Sequence, residues 1–174
     1  DSSIVAKGSA VAIAPTRAIT NCHLLETGTN YVVEQTGRRG NASLILADSQ
    51  RDLCLIEIAG FRLNAAQLQG ISSVKTGDRA YAIGAPLGLE LTISEGIVSG
   101  LRARDGSVVI QNTAPISPGS SGGGLFNESG NLIGITTFYI GTGQNVNFAL
   151  PSDWILEVPS RGKRTLSATK KKST

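Results

Sequence analysis

Apolar residues in this chain come in short bursts, each stopped by glycine, proline or small polar residues. Residues 9–14 are small and β-branched, and Pro15-Thr16-Arg17 ends them, which reads as a strand and a turn. Residues 18–21 are a second short strand, finishing just before His23. Residues 29–35, 41–48 and 53–58 read as further strands, with Thr36-Gly37-Arg38-Arg39-Gly40 as a hairpin turn between the first two. In the last of these strands Leu53 and Leu55 alternate with Cys54 and Ile56. The spacing gives about six strands before residue 60, with turn signals every ~8–12 residues, as an antiparallel barrel requires.

Residues 61–73 have the least pattern and read as a crossover to a second half. There the expected strands are 79–84, 91–101 (one or two, broken near Glu95-Gly96), 108–112, 125–127, 132–139 and 146–149. Pro151-Ser152-Asp153-Trp154 opens a short helix over about 151–159, with Ser152 in the N-cap position. The expected fold is all-β: two six-stranded antiparallel barrels, about 1–72 and 73–150, and a C-terminal helix.

Composition changes this picture little. A length of 174 residues with 40% hydrophobic content suits one compact unit or two small barrels. No apolar run approaches the ~18 residues of a membrane helix. The chain opens at Asp1 without a recognisable signal peptide. The net charge of +3 misleads, because six of the 16 basic residues lie in 161–174, where there is no acid. The remainder holds 10 basic and 13 acidic residues. The basic end reads as a disordered, solvated tail, and no nucleic-acid partner is expected.

The candidate chemistry centres on Pro118-Gly119-Ser120-Ser121-Gly122-Gly123-Gly124, a backbone able to raise one hydroxyl and bring bare N–H groups close to a ligand. A serine beside two N–H donors is the core of acyl transfer. A loose Gly/Ser turn would have the same composition. Two upstream features favour chemistry: the single histidine, His23, in Thr20-Asn21-Cys22-His23, and an acid, Asp52, in Arg51-Asp52-Leu53-Cys54-Leu55-Ile56.

Taken together, these segments resemble chymotrypsin-fold serine proteases, in their HtrA/Deg-like bacterial branch. Gly8-Ser9-Ala10-Val11, Gly84-Ala85-Pro86-Leu87-Gly88, Gly96-Ile97-Val98-Ser99, Ile133-Gly134-Ile135 and Asn147-Phe148-Ala149-Leu150-Pro151 also match, in the family's order. The resemblance implies a serine endopeptidase with His23 as general base, Asp52 as its orienting acid and Ser121 as nucleophile. It also implies an oxyanion hole from the N–H groups of Gly119 and Ser121. Asp48 rivals Asp52, and an acid leading into an alternating apolar strand suits the orienting role better. Ser120 rivals Ser121, and the motif's nucleophile directly precedes Gly-Gly. Two positions depart from the family pattern: Ser120 stands for Asn and Gly124 for Pro.

The position six before the nucleophile is Pro115, not the acid of enzymes that cleave after Lys or Arg. An apolar P1 preference follows, with the pocket expected from Thr136, Thr137, Phe138 and Tyr139. Ser120 replaces the Asp of the zymogen switch, so control by ordering of loops 85–89 and 116–119 is expected. Partners implied are extended or unfolded polypeptides and further copies of the chain, although neither the family's trimerising segment nor a PDZ domain is recognisable here. Contact between His23 and Asp52 would bring Cys22 and Cys54 together, either as a disulfide or as two buried thiols. A bridge would point to a periplasmic or otherwise exported protein. Two cysteines and a committed histidine are too few for structural zinc, and no cofactor is expected. A weakly catalytic binding or chaperone module, and an esterase using the same triad, are the rival readings.

Overall fold

Residues with one apolar face or two decide the layers. The computed structural model describes residues 6–86, 90–104, 106–137 and 146–166. In the first half β1 (Val11–Ala14), β2 (Arg17–Thr20), β3 (Tyr31–Gln35), β4 (Arg38–Asp48) and β5 (Leu53–Ile58) form one antiparallel sheet in the order β1-β2-β5-β4-β3. In the second half β6 (Arg79–Gly84), β7 (Thr92–Arg104), β8 (Ser107–Asn112), β9 (Gly124–Phe126), β10 (Leu132–Thr137) and β11 (Asn147–Pro151) close into a six-stranded barrel. Helix α1 (Asp153–Arg161) follows.

The second barrel matches the expectation. The first half has five strands among the described residues rather than six, and its sheet curls without closing. The count differs because the pattern resolves into only five apolar bursts before residue 60. Strand ends also shift for local reasons. The hairpin turn shrinks to Thr36-Gly37, with φ of 49° and 75°, so that Gln35 pairs with Arg38. Such a two-residue turn with both φ positive matches strand twist. Gly96 does not break β7. A side chain there would lie 2.2 Å from the Ala114 nitrogen, so glycine lets the strand run close against that backbone.

Alternation sorts the core. Leu53 and Leu55 join Val11, Ile19, Leu132, Ile135, Leu150 and Trp154 between the halves. Cys54, Ile56 and Ile58 face the other way, into the first half with Ala18, Cys22 and Leu25. Strand β5 is thus buried on both faces, which is why four apolar residues, Leu53–Ile56, follow one another before Glu57.

The C-terminal segment differs from the expected tail. Helix α1 runs to Arg161, whose Nε donates to Asp48 Oδ2 at 2.7 Å. Beyond it, Lys163 exchanges backbone hydrogen bonds with Ala47. Ser152 makes no side-chain cap; its hydroxyl donates instead to the Gln69 carbonyl of the crossover. Asp153 takes up the capping chemistry in another direction, accepting the Ile71 N–H at 2.7 Å. The rest of the expected tail, residues 167–174, lies outside the described residues. No described helix is long and apolar enough to cross a membrane.

Candidate active site

The register of β2 on β5 puts Thr20 opposite Cys54. One step further the chains continue, with the Cys22 N–H donating to the Asp52 carbonyl at 3.3 Å and Asn21 Nδ2 to the same oxygen at 3.0 Å. His23 follows in a short 3-10 turn, Cys22–Leu24. Its backbone N–H donates to Asp52 Oδ1 at 2.9 Å and its Nδ1 lies 2.7 Å from Oδ2. Both carboxylate oxygens are therefore committed to one histidine. Asp52 itself has φ 58°, in the left-handed region that costs a non-glycine residue about 1–2 kcal/mol. Asp bears this better than most residues.

The hydrogen bond to Asp52 and, less strongly, its charge raise the His23 pKa above the ordinary 6.5. Partial burial opposes this shift, and the Glu26 charge adds to it. A protonated His23 is thus favoured by its surroundings, which suits a group that gains a proton during reaction.

Cys22 and Cys54 are bridged, with Cα atoms 5.0 Å apart, and both are fully buried. The bridge ties the residue before His23 to the strand that begins after Asp52. Replacing both cysteines by Ala should lower unfolding free energy by about 3–4 kcal/mol, the chain-entropy value for a loop of this size. Chemical denaturation with and without the bridge measures it.

The serine loop joins β8 to β9. Gly119 and Gly122 have φ of 95° and 85°, so both turns need glycine. Ser120 faces inward: its carbonyl accepts from Thr136 Oγ1 at 2.8 Å and from the Gly123 N–H at 3.0 Å. Ser121 follows, with its carbonyl accepting the Ser9 N–H at 2.8 Å. Among the described residues the Gly119 N–H has no acceptor.

Ser9 was not anticipated as a site residue, although its motif was noted. Its hydroxyl donates to the Gly119 carbonyl at 2.7 Å and accepts the Ala85 N–H at 2.8 Å. Its carbonyl accepts from Thr20 Oγ1 at 2.7 Å. One residue thereby links the serine loop, the 85–86 loop and the strand leading to His23. A side chain at Gly122 would lie 2.1 Å from the Ser9 carbonyl oxygen and 2.5 Å from Thr20 Oγ1, so the serine loop abuts the segment carrying His23. Ser9→Ala should cost about 1–3 kcal/mol, since the Ala85 N–H and Gly119 carbonyl lose their partner; thermal unfolding reads this directly.

The remaining expected residues separate. Asp48 is buried and engaged by Arg161 and the Arg51 N–H, away from His23. Thr136 is 2% exposed, and its hydroxyl and backbone both hold the serine loop. β10 is buried at five consecutive positions, 132–136, so no alternation in the sequence marks Thr136 as interior. Thr137 is half-buried at the strand end, while Phe138 and Tyr139 lie outside the described residues.

A family model for the trypsin-like peptidase domain matches residues 8–135. The chain belongs to the trypsin-like peptidases. Among these trypsin-like peptidases it is similar to Deg and HtrA proteins of bacteria. It is 34% identical over 169 residues to the periplasmic serine endoprotease DegP of Escherichia coli K12, covering 90% of this chain and 36% of DegP. Against the serine endoprotease DegS of Haemophilus influenzae it is 37% identical over 147 residues, covering 78% of this chain and 43% of DegS. The solved HtrA-type protease AlgW with decapeptide superposes with a TM-score of 0.81 at 36% identity, covering 88% of this chain and 50% of that one. The chain thus spans about a third to a half of these relatives.

Proposed function

We propose that this trypsin-like peptidase is a serine endopeptidase working through an acyl-enzyme. The observation that carries the reading is the His23 Nδ1–Asp52 contact of 2.7 Å, held beside a glycine-shaped serine loop. Ser121 attacks the scissile carbonyl and His23 Nε2 takes its proton. Asp52 fixes the tautomer that leaves Nε2 free and steadies the imidazolium. His23 then returns the proton to the leaving amine, and water repeats the cycle on the ester. The N–H groups of Gly119 and Ser121 receive the oxyanion, with charge that forms only in the transition state. Among the described residues no three His, Cys, Asp or Glu side chains gather as metal ligands.

Pro115 in place of an acid favours uncharged, apolar P1 residues, with Thr137 at the end of β10 as part of the wall. Extended polypeptides are the substrates, pairing along the end of β10 by strand addition. The relatives named as periplasmic and the buried disulfide together favour an exported setting.

The test is incubation with a fluorophosphonate probe and with unfolded casein. Labelling mapped to Ser121 by peptide mass spectrometry, together with casein cleavage after apolar residues, is the expected result. Labelling without casein cleavage would favour an esterase or binding role. No labelling would overturn the mechanism.

A further inference from the structure

We infer that helix α1 is a positioning element for the base–acid pair, acting through Arg51, which Trp154 and Glu157 grip one residue before Asp52. This inference rests on the acyl-enzyme reading.

Asp52 sits in a backbone conformation that it does not prefer, so its neighbours must hold it there. On the downstream side the strand is fixed by the Cys54–Cys22 bridge. Upstream the only side chain adjoining Asp52 is Arg51, and it is buried at 8% exposure. Its guanidinium lies 4.4 Å from the centroid of the Trp154 ring, within cation–π range. Arg51 Nη1 also forms an ion pair with Glu157 Oε2. Its backbone N–H donates to the Asp48 carbonyl at 3.2 Å, and Asp48 is in turn bound by Arg161. Three side chains of one helix, Trp154, Glu157 and Arg161, therefore secure the four-residue connection that ends in Asp52.

A buried guanidinium is a poor choice for packing alone, because an apolar side chain would fill the space without desolvating a charge. What Arg51 supplies is direction. A planar fork stacked on an indole and paired with a carboxylate has one orientation. That orientation is passed through one peptide unit to a carboxylate whose two oxygens both serve His23. Arg51 touches no reacting atom, so it is a positioning residue.

The lone histidine makes the test clean, since its ring signals in an NMR titration belong to His23 alone. The charged groups acting on that ring are Asp52 and Glu26. Arg51→Leu should move the His23 titration midpoint down toward 6.5 and lower kcat about tenfold or more, with KM within about twofold. Arg51→Lys, which keeps charge but not the fork, should fall between. Should Arg51→Leu fail to fold, Glu157→Gln changes only a half-exposed side chain and should shift the midpoint in the same direction by less. A lowered melting temperature with an unaltered His23 midpoint would assign Arg51 to stability alone and overturn the inference. A midpoint that moves in Arg51→Leu while the wild type itself is inert to fluorophosphonate would support the positioning role and refute the hydrolytic reading.

Discussion

Ser121→Ala is expected to lower kcat for peptide cleavage by about 10⁶ and to abolish fluorophosphonate labelling. The fall is large because, in the proposed mechanism, nucleophile, base and acid act as one unit. Once the hydroxyl is gone, His23 has nothing to activate, and only transition-state binding by the loop N–H groups remains. Stability should change by no more than about 1.5 kcal/mol, one hydrogen bond's worth, since the loop is held by its backbone. The Ser121 carbonyl keeps the Ser9 N–H, and the Gly122 N–H keeps the Thr136 carbonyl. Single-turnover kinetics beside a thermal melt separate the two effects. Equal cleavage by wild type and variant would show that another residue is the nucleophile.

Asp52→Asn should lower kcat by about 10⁴. Asn tolerates the left-handed backbone nearly as well as Asp, so the substitution removes charge and leaves the turn. Its amide group can meet Nδ1 as a donor, selecting the tautomer that blocks Nε2 as a base. The pH profile should change as well. In the proposed mechanism His23 must be neutral to act, and its pKa lies above 6.5 chiefly because of the hydrogen bond to Asp52. Activity should therefore rise with pH through a midpoint above 6.5. In Asp52→Asn both the hydrogen bond to a carboxylate and its charge are gone, and burial pushes the midpoint down. Stability has the opposite sign: a raised His23 pKa stabilises the wild-type fold fully below the unfolded value near 6.5. That contribution is lost as pH rises through the folded value. Kinetics and unfolding measured across pH 5–9 check both signs, and a midpoint unmoved by the substitution would separate Asp52 from His23.

The strands were legible because both kinds of signal agree in them. β5 shows this best: its two faces fill two different clusters, and five of its six residues are apolar. His23 and Asp52 were legible as a pair because each lies at the end of a strand, and β2 and β5 are neighbours. Ser9 was harder. A small polar residue in a Gly-Ser-Ala run carries no periodic signal, and its importance lies in three partners 11, 76 and 110 residues away. Thr136 is obscure for a related reason: it is the last of five consecutive buried residues in β10, and no pattern in the sequence sets a threonine that holds the serine loop apart from one facing a pocket. The Arg51 grip was invisible because it joins a turn to a helix about a hundred residues later, and nothing local marks a buried arginine.

The crossing from Ser9 to Gly119 and Ala85 makes the shape of the serine loop a joint product of the two halves. Neither half alone contains what shapes that turn, so the acyl-transfer site proposed above is complete only once both have docked.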